Sequence, residues 1–175
     1  MTAVTRGALL AGDWRVITER TRATFTVRKL GLITVHGSIV VLEGSATLDA
    51  SGRPTAVSVV LEPTTIATGI TRRDADLRGP RFFDVARFDT LRFRADDVEP
   101  ADDGWLVRGH LTVRDRQAPL DLTVSHQVDA ATGTATVRAH GVLDRATTGL
   151  RAPRWLIGRW IGAEVTAVLV RGASG

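Results

Sequence analysis

The sequence predicts an all-β domain, a sandwich or a barrel of antiparallel strands, and three observations carry this prediction. Apolar and polar residues alternate over most of the chain, turn residues separate the alternating runs, and almost no stretch shows the helical spacing of apolar residues. The alternation is clearest from Leu120 to Val128, where each apolar or His residue is followed by Asp, Thr, Ser or Gln. One face of such a strand points inward and the other toward water, as in antiparallel sheets.

About eight or nine strands are expected on this basis. The clearest runs lie at residues 24–28, 105–114, 120–128 and 134–143, and further strands are expected at 33–42, 45–49, 55–62, 90–96 and 163–170. Hairpin loops are predicted where Asp and Gly cluster, at 49–52, 102–104, 115–117 and 129–133. Between two of the middle strands, Thr71-x-x-Asp74 has the spacing of a capping box and predicts a short helix.

Composition limits the classes of function. The chain has 175 residues, which fits one domain, and it contains no Cys, so disulfides and thiolate chemistry are excluded. The formal charge is +4 and the pI is about 11 because Lys29 is the single lysine, the other cations are Arg, and Tyr is absent. An excess of Arg over Lys with no Tyr is weak evidence for nucleic-acid binding, and no nucleic acid is expected as a partner.

The expected compartment follows from the apolar segments. No stretch approaches the roughly 18 consecutive apolar residues of a membrane-spanning helix. The apolar patch near the amino terminus, residues 8–11, is too short for the core of a signal peptide. We therefore expect a cytoplasmic protein.

The residues predicted to face the interior are small. A barrel of about eight strands has an interior just wide enough to be filled by side chains or to hold one slender ligand. Four Trp and five Phe would fill it with difficulty. Either the core is fully packed or an apolar lumen is left open for a lipid-like molecule, and the small inward positions are Gly37, Gly109, Ala135, Ala139, Gly141 and Ala167.

Several short motifs occur in a characteristic order from Trp14 to about Val170. They are Thr24–Gly31, Thr65–Thr68, Arg73-Asp74, Phe83-Asp-Val85, Arg87–Phe93, Gly109–Val113 and Ile161–Val165. In this order the chain resembles the bacterial YceI-like family, whose lipocalin-like barrels are associated with polyisoprenoid binding. The resemblance implies a single antiparallel eight-stranded lipocalin-like β-barrel with one or two short helices in its connectors. It would occupy residues 13–171, after a flexible segment at 1–12.

The resemblance and the alternation together predict the ligand-binding residues. We expect the lumen to be lined by Phe25, Val27, Val35, Ile39, Phe93, Val107, Leu111, Leu122, Val124, His126 and Val137. In such barrels the segment between the middle strands packs across one opening, so Phe82, Phe83 and Phe88 are expected to turn inward as a plug or as ligand contacts. A phosphate or quinone head group would then lie near the arginines of the same segment, chiefly Arg72, Arg73 and Arg81, with Arg78 beside them. The alternative is that Asp74, Asp84 and Asp89 merely pair with these arginines at the surface.

His126 is the residue on which an enzymatic alternative rests. His110 and His140 fall on polar faces, whereas His126 shares an apolar face with Leu122 and Val124. It is either a hydrogen-bonded core residue, a contact for a ligand carbonyl, or the acid or base of an isomerase or hydratase. No metal-ligand spacing, nucleophile elbow or nucleotide-binding loop is present in the sequence, so neither a metal nor a cofactor is expected.

The segment 145–162 is rich in Arg and Trp. If it is helical, Arg151, Trp155 and Arg159 lie on one face. Trp155 or Trp160 would close one end of the barrel, form a homodimer contact, or make a transient contact with a membrane surface.

The sequence thus favours a protein that binds, sequesters or transports a long apolar ligand without making or breaking bonds. A cavity enzyme and a packed barrel that serves as an interaction module are the alternatives. An open lumen lined by apolar groups would favour the first, and a convergent acid and base would favour the enzyme.

Overall fold

The computed structural model describes residues 7–152 and 157–173. Their fold is a closed antiparallel barrel of eight strands, which confirms the predicted fold class. The strands are β1 (Gly12–Lys29), β2 (Ile33–Leu48), β3 (Pro54–Ala67), β4 (Leu91–Ala101), β5 (Gly104–Val113), β6 (Arg116–Asp129), β7 (Thr134–Asp144) and β8 (Ile157–Arg171). One α-helix, α1 (Thr71–Arg78), lies between β3 and β4, and a 3₁₀ turn, Arg145–Thr148, follows β7.

The two ends of the barrel differ in their connections. Each strand pairs with the next one in sequence, and β1 pairs with β8 to close the barrel. Short hairpin loops at residues 49–53, 102–103 and 130–133 lie at one end, which we call the hairpin end. The long connections β3–β4 and β7–β8 lie at the opposite, connector end, together with the tight turns at 30–32 and 114–115. The segments that differ most from simple hairpins therefore meet at one end.

Two strands are longer than predicted because irregular pairing shifts the phase of their alternation. In β1 the register shifts between Ile17 and Arg22, where Thr21 Oγ1 donates to the Ile17 carbonyl at 2.9 Å. Trp14 faces inward before this bulge, and Ala23 faces inward after it. The inward-facing residues of β1 therefore have even numbers before the bulge and odd numbers after it. A bulge inserts an unpaired residue, and a search for strict alternation therefore detects only one half of the strand.

The predicted strands 33–42 and 45–49 form one continuous strand, β2. The register between β2 and β3 shifts between Val41 and Glu43. Gly44 follows the shift, and a Cβ at this position would lie 2.6 Å from Val16 Cγ2. The glycine permits the close approach of β1, and no turn is formed.

The predicted helix is present, but its predicted cap is wrong. α1 begins after Ile70, whose side chain makes no capping hydrogen bond, and the Thr71 side chain does not act as the cap. Asp74 is instead buried and accepts hydrogen bonds from the backbone N–H and the hydroxyl of Thr68. With eight residues, α1 is too short to cross a bilayer, and no helix within 7–152 or 157–173 is long and apolar enough to do so.

The buried residues form two clusters along the barrel axis. One cluster lies toward the connector end and includes Phe93, Leu111 and Leu143, and the other lies at the hairpin end around Trp14 and Leu169. The core is thus divided into two clusters along the barrel axis, and the interior space of the barrel is divided as well.

Candidate functional site: a divided apolar lumen

The barrel encloses two apolar cavities in line. The hairpin chamber, toward the hairpin end, has a volume of about 120 Å³, and the connector chamber, toward the connector end, has a volume of about 150 Å³. A ring of four side chains lines both chambers: Val59, Leu122, Ala139 and Val165. This ring is the waist of a single divided lumen, and the interior is not filled by side chains.

Most residues predicted to line the lumen do so. The hairpin chamber is walled by the predicted residues Val107, Leu122, Val124, His126 and Val137. The connector chamber is walled by Phe25, Ile39, Phe83, Phe93 and Leu111, and by Leu122 at the waist. Their contact with a ligand stays a prediction.

Val27, Val35 and Phe82 do not line either chamber. Val27 and Val35 are register partners near the connector end of β1 and β2, beyond the region that the chambers occupy. Phe82 is half-buried, and its carbonyl lies 3.4 Å from an Arg114 guanidinium nitrogen that donates to it. The places expected for Val27 and Val35 in the wall, and for Phe82 as a plug or ligand contact, thus lie outside the two chambers, and contact of these residues with a ligand stays a prediction.

Sequence reasoning missed the part of the wall contributed by β3. Val57, Val59 and Leu61 line the chambers. They stand at every second position, which is the spacing expected for one face of a strand. Val60, between them, is also apolar and buried, and this obscured the alternation. Trp14 and Val16 were missed because they precede the bulge in β1.

Two of the small inward residues do not enlarge the lumen. A Cβ at Gly37 would lie 2.1 Å from Cζ of Phe25, and one at Gly109 would lie 2.5 Å from Cζ of Phe93. The phenyl rings therefore occupy the space that the glycines leave. Ala135, Ala139 and Ala167 do contribute to the chamber walls, as their small size predicted.

The segment between α1 and β4 brings Phe83 into the connector chamber and turns Phe88 elsewhere. Phe88 lies against two guanidinium groups, with Arg87 at 5.3 Å and Arg114 at 5.6 Å from the ring centroid. Asp84, between these aromatics, is buried and adopts a left-handed backbone conformation with φ 48°. Its carboxylate lies 3.9 Å from Arg114 and 3.6 Å from Arg87. The αL residue reverses the chain, so Phe83 faces the lumen and Phe88 does not.

The predicted head-group arginines have different surroundings. Arg73 donates from Nε to the Thr68 hydroxyl at 2.7 Å and from Nη2 to the Thr68 carbonyl at 2.8 Å, so its guanidinium is already engaged. Arg78 donates to the Ile66 carbonyl at 2.8 Å. Arg72 and Arg81 are exposed. Asp84 is buried, and its ion-pair partners among the described residues are Arg87 and Arg114 rather than these four arginines.

His126 lines the hairpin chamber. Its Nε2 lies 3.3 Å from the Gly7 carbonyl oxygen, which can only accept, so Nε2 carries the proton. Its Nδ1 is buried and has no hydrogen-bond partner in the structure. The other polar side chains of this chamber belong to Thr21 and Ser45, and no carboxylate of the described residues lines it. Nor do the described residues contain a group of three metal-ligating side chains.

The connection between β7 and β8 is organised by a buried arginine. The Arg145 side chain donates to the carbonyl oxygens of Leu150 at 2.9 Å, Gly158 at 3.2 Å, and Ala152 and Ile157 at 3.3 Å each. Its positive charge is thus surrounded by backbone dipoles rather than by a carboxylate.

The predicted helical face in this segment is wrong for Arg159, which lies in strand β8; Trp155 lies outside the described residues. Arg159 forms an ion pair with Asp144 at 2.6 Å, and the hydrogen bond to this carboxylate raises the pKa of Arg159. Trp160 is 58% exposed, with the Arg159 guanidinium 4.9 Å from its ring.

The fold and the lumen define a closed β-barrel with an enclosed apolar cavity, a class suited to slender apolar ligands. The family model of the YceI-like domain matches residues 14–169. The chain belongs to the YceI-like family.

Relatives and solved structures agree with this assignment. A UPF0312 protein of Yersinia pestis is 33% identical over 122 residues, which cover 67% of this chain and 63% of the relative, so the chain spans less than two thirds of that relative's length. BcnA of Burkholderia cenocepacia has a TM-score of 0.71 at 13% identity over 87% of this chain and 98% of its own. A domain from Saccharophagus degradans, described as polyisoprenoid binding, has a TM-score of 0.70 at 13% identity over 91% of this chain and 98% of its own. At such identities the likeness concerns the fold.

Proposed function

We propose that the protein binds a long, slender apolar ligand of the polyisoprenoid type in the divided lumen and sequesters or transports it. The observation that carries this proposal is the pair of apolar chambers in line, which meet at the ring of Val59, Leu122, Ala139 and Val165. A compact ligand would require one larger cavity, whereas a chain can occupy two small ones through a narrow waist.

The chamber volumes suit a chain. An apolar cavity of about 150 Å³ in an engineered protein stays dry and holds a benzene molecule. The two chambers, of about 120 and 150 Å³, therefore each accept a group of similar size, such as one isoprene unit. The description of the Saccharophagus domain as polyisoprenoid binding supports this ligand class.

Among the described residues of the hairpin chamber no acid or base converges with His126, and this favours binding over catalysis. Glu164, which borders the connector chamber, is exposed. His126 faces the Gly7 carbonyl, and the remaining polar wall residues of the hairpin chamber, Thr21 and Ser45, are hydroxyl-bearing. An isomerase or hydratase would need a second titratable group within hydrogen-bond reach of the same substrate atom.

The ligand is taken up from a membrane surface at the connector end. Exposed apolar side chains at that end include, among the described residues, Leu32 at 90%, Ile33 at 54% and Trp160 at 58%. Aliphatic and Trp side chains next to Arg suit the interface between water and lipid. In a flotation assay, the protein should be recovered with vesicles of anionic lipid, and Leu32→Ser should reduce that recovery. Formation of a homodimer through this surface, seen by light scattering, would contradict the membrane role.

The first experiment is native mass spectrometry of freshly purified protein, followed by organic extraction. A near-stoichiometric isoprenoid or other long-chain lipid is expected. In a second assay, added prenols should change the Trp fluorescence, because Trp14 and Trp105 line the hairpin chamber. Trp105→Phe should reduce the signal change without removing binding. Protein that is empty and fails to take up prenols of any length would contradict the proposal.

A further inference from the structure

A pocket rich in arginine lies beside the connector chamber. It has a volume of about 430 Å³ and is formed by the β7–β8 connection, the start of β6 and the start of β8. Its wall includes the four guanidinium-bearing side chains of Arg116, Arg145, Arg151 and Arg159. We call it the arginine pocket.

The four arginines differ in how far their charge is already compensated. Arg159 is paired with Asp144, and Arg145 is held by carbonyl oxygens alone. Arg116 and Arg151 are exposed and make no hydrogen bond or ion pair with any residue in the described ranges. Two guanidinium groups are therefore available at a pocket whose buried wall already carries a positive charge without a counter-ion of its own.

The position of Arg116 is set by a glycine. Gly149 adopts φ +75°, and a Cβ at this position would lie 2.8 Å from Cδ of Arg116. The arginine side chain thus packs directly over the backbone of the β7–β8 connection. This contact keeps the guanidinium near the pocket, although the side chain is exposed.

Leu150 joins this pocket to the lumen. It is 7% exposed and lines both the arginine pocket and the connector chamber. A molecule with a charged head in the pocket and an apolar chain beyond Leu150 would fill both spaces. Leu150 therefore lies between the two spaces.

We propose that the arginine pocket binds the phosphate or diphosphate group of an amphiphile whose chain occupies the lumen. This inference rests on the proposed function and assigns the head group to Arg116 and Arg151, rather than to Arg72 and Arg81 of the β3–β4 connection. Guanidinium groups donate pairs of parallel hydrogen bonds to phosphate oxygens, and the buried charge of Arg145 adds attraction without direct contact.

The test compares three probes on three proteins. The probes are farnesyl diphosphate, farnesol and inorganic diphosphate, measured by isothermal titration calorimetry at low ionic strength. The proteins are the wild type, the double variant Arg116→Ala/Arg151→Ala, and the matched control Arg72→Ala/Arg81→Ala. All four substituted side chains are exposed, so the fold should be retained, and circular dichroism checks this.

In the wild type, farnesyl diphosphate should bind about tenfold or more tightly than farnesol. The double variant should lose this advantage and keep the affinity for farnesol, whereas the control should match the wild type. Two results would overturn the head-group site: equal affinity of the wild type and the double variant for farnesyl diphosphate, or loss of farnesyl diphosphate binding in the control. In either case, farnesol binding would still support a ligand-binding lumen. If inorganic diphosphate binds as tightly as farnesyl diphosphate and does not compete with farnesol, the arginine pocket binds a free anion, and its assignment to the head group of a lipid is overturned. Failure of all three probes in every protein would overturn the lumen function itself.

Discussion

The ring of Phe25 covers Gly37 across the β1–β2 ladder. The two residues are register partners, and the ring occupies the place where a side chain at position 37 would begin. Phe25 also lines the connector chamber, so this contact sets how far the ring projects into the lumen. A glycine in the wall thereby controls the room available to a ligand.

Gly37→Ala should push the Phe25 ring into the connector chamber. A Cβ only 2.1 Å from Cζ cannot be accommodated unless the ring moves. Overpacking of this kind costs about 1–3 kcal/mol of stability, and the displaced ring should lower the affinity for a long prenol. Urea denaturation and a fluorescence titration would measure the two effects. Ser38→Ala, an exposed neighbour, is the control, and unchanged affinity in Gly37→Ala would contradict the role of the pair.

Ala139→Leu should separate the two chambers. Ala139 is the smallest side chain of the waist, and a larger one would block passage of a chain. We expect the affinity for farnesol or longer prenols to fall about tenfold, which corresponds to about 1.4 kcal/mol, with little change for a five-carbon alcohol. Val142→Leu, on the outer face of the same strand and 59% exposed, serves as the control. Equal losses for short and long alcohols would show that the waist does not act as a passage.

Asp84→Asn should loosen the segment that carries Phe83. Asn tolerates the left-handed backbone at this position but removes the charge that faces Arg87 and Arg114. Loss of a buried carboxylate charge that faces two guanidinium groups, at 3.6 and 3.9 Å, costs about 1–3 kcal/mol, measurable by urea denaturation. Asp89→Asn, exposed in the same segment, should change stability by about 0.5 kcal/mol or less. Equal effects of the two substitutions would refute the anchoring role of Asp84.

His126→Ala should release the chain that precedes β1. Residues 7–10 lie at the hairpin end, where Gly7 accepts from His126 and the Leu10 carbonyl accepts from Trp14 Nε1 at 2.9 Å. Hydrogen exchange of these residues should speed up, while global stability changes by about 1 kcal/mol or less because a buried nitrogen without a partner is also removed. His140→Ala, exposed on the outer wall, should change neither quantity. The flexibility expected for residues 1–12 is a prediction that the same wild-type measurement addresses.

The β2–β3 turn should contribute a pH-dependent part of the stability. The Asp49 carboxylate accepts from the Ser51 hydroxyl at 2.6 Å and from the backbone N–H groups of Ser51 and Arg53, and these bonds, the hydroxyl first, lower the pKa of Asp49 from its usual 3.8. Because the folded pKa is the lower one, the stabilisation is fully present above about pH 4 and is lost as pH falls through the folded pKa. Asp49→Ala should therefore melt below the wild type at neutral pH.

The difference in melting temperature between Asp49→Ala and the wild type should shrink in acid, in scans from about pH 7 to about pH 2. Asp102→Ala, in the exposed β4–β5 loop at the same end, is the matched control and should show no such convergence. A difference that stayed constant down to the lowest pH would mean that the Asp49 charge contributes nothing.

The strands predicted best are those whose alternation is unbroken. Strands β5, β6 and β7 contain no register shift in their mutual pairing, so every second residue from Val107 to Leu111 and from Leu122 to His126 faces inward as expected. In β1 and β2 the bulges reverse the phase, and Trp14 and Gly44 could not be placed by alternation alone.

Adjacent residues with the same chemistry were equally difficult to separate. Phe82 and Phe83 carry the same side chain and stand next to each other, so residue type alone could not tell that Phe83 lines the lumen and Phe82 does not. The sequence showed that the segment 145–162 is rich in Arg, but it did not predict a pocket there. Arg145 is buried by carbonyl oxygens from residues near it in the chain, and no spacing of residue types encodes that arrangement.

The closure of the barrel by β1 and β8 has a consequence for how the chain folds. All other strand pairs join neighbours in sequence and form at small entropic cost, whereas this ladder joins partners as distant as Trp14 and Arg171. During synthesis the barrel cannot close until the final strand has left the ribosome, and the edge of β1 that faces β8 stays unpaired until then. We expect the amide protons that bond across the β1–β8 ladder to gain protection last in pulse-labelling experiments, and earlier protection there than in the β5–β6 hairpin would contradict this order. The lumen, and any capacity to hold a ligand, then comes into existence in the final step of folding.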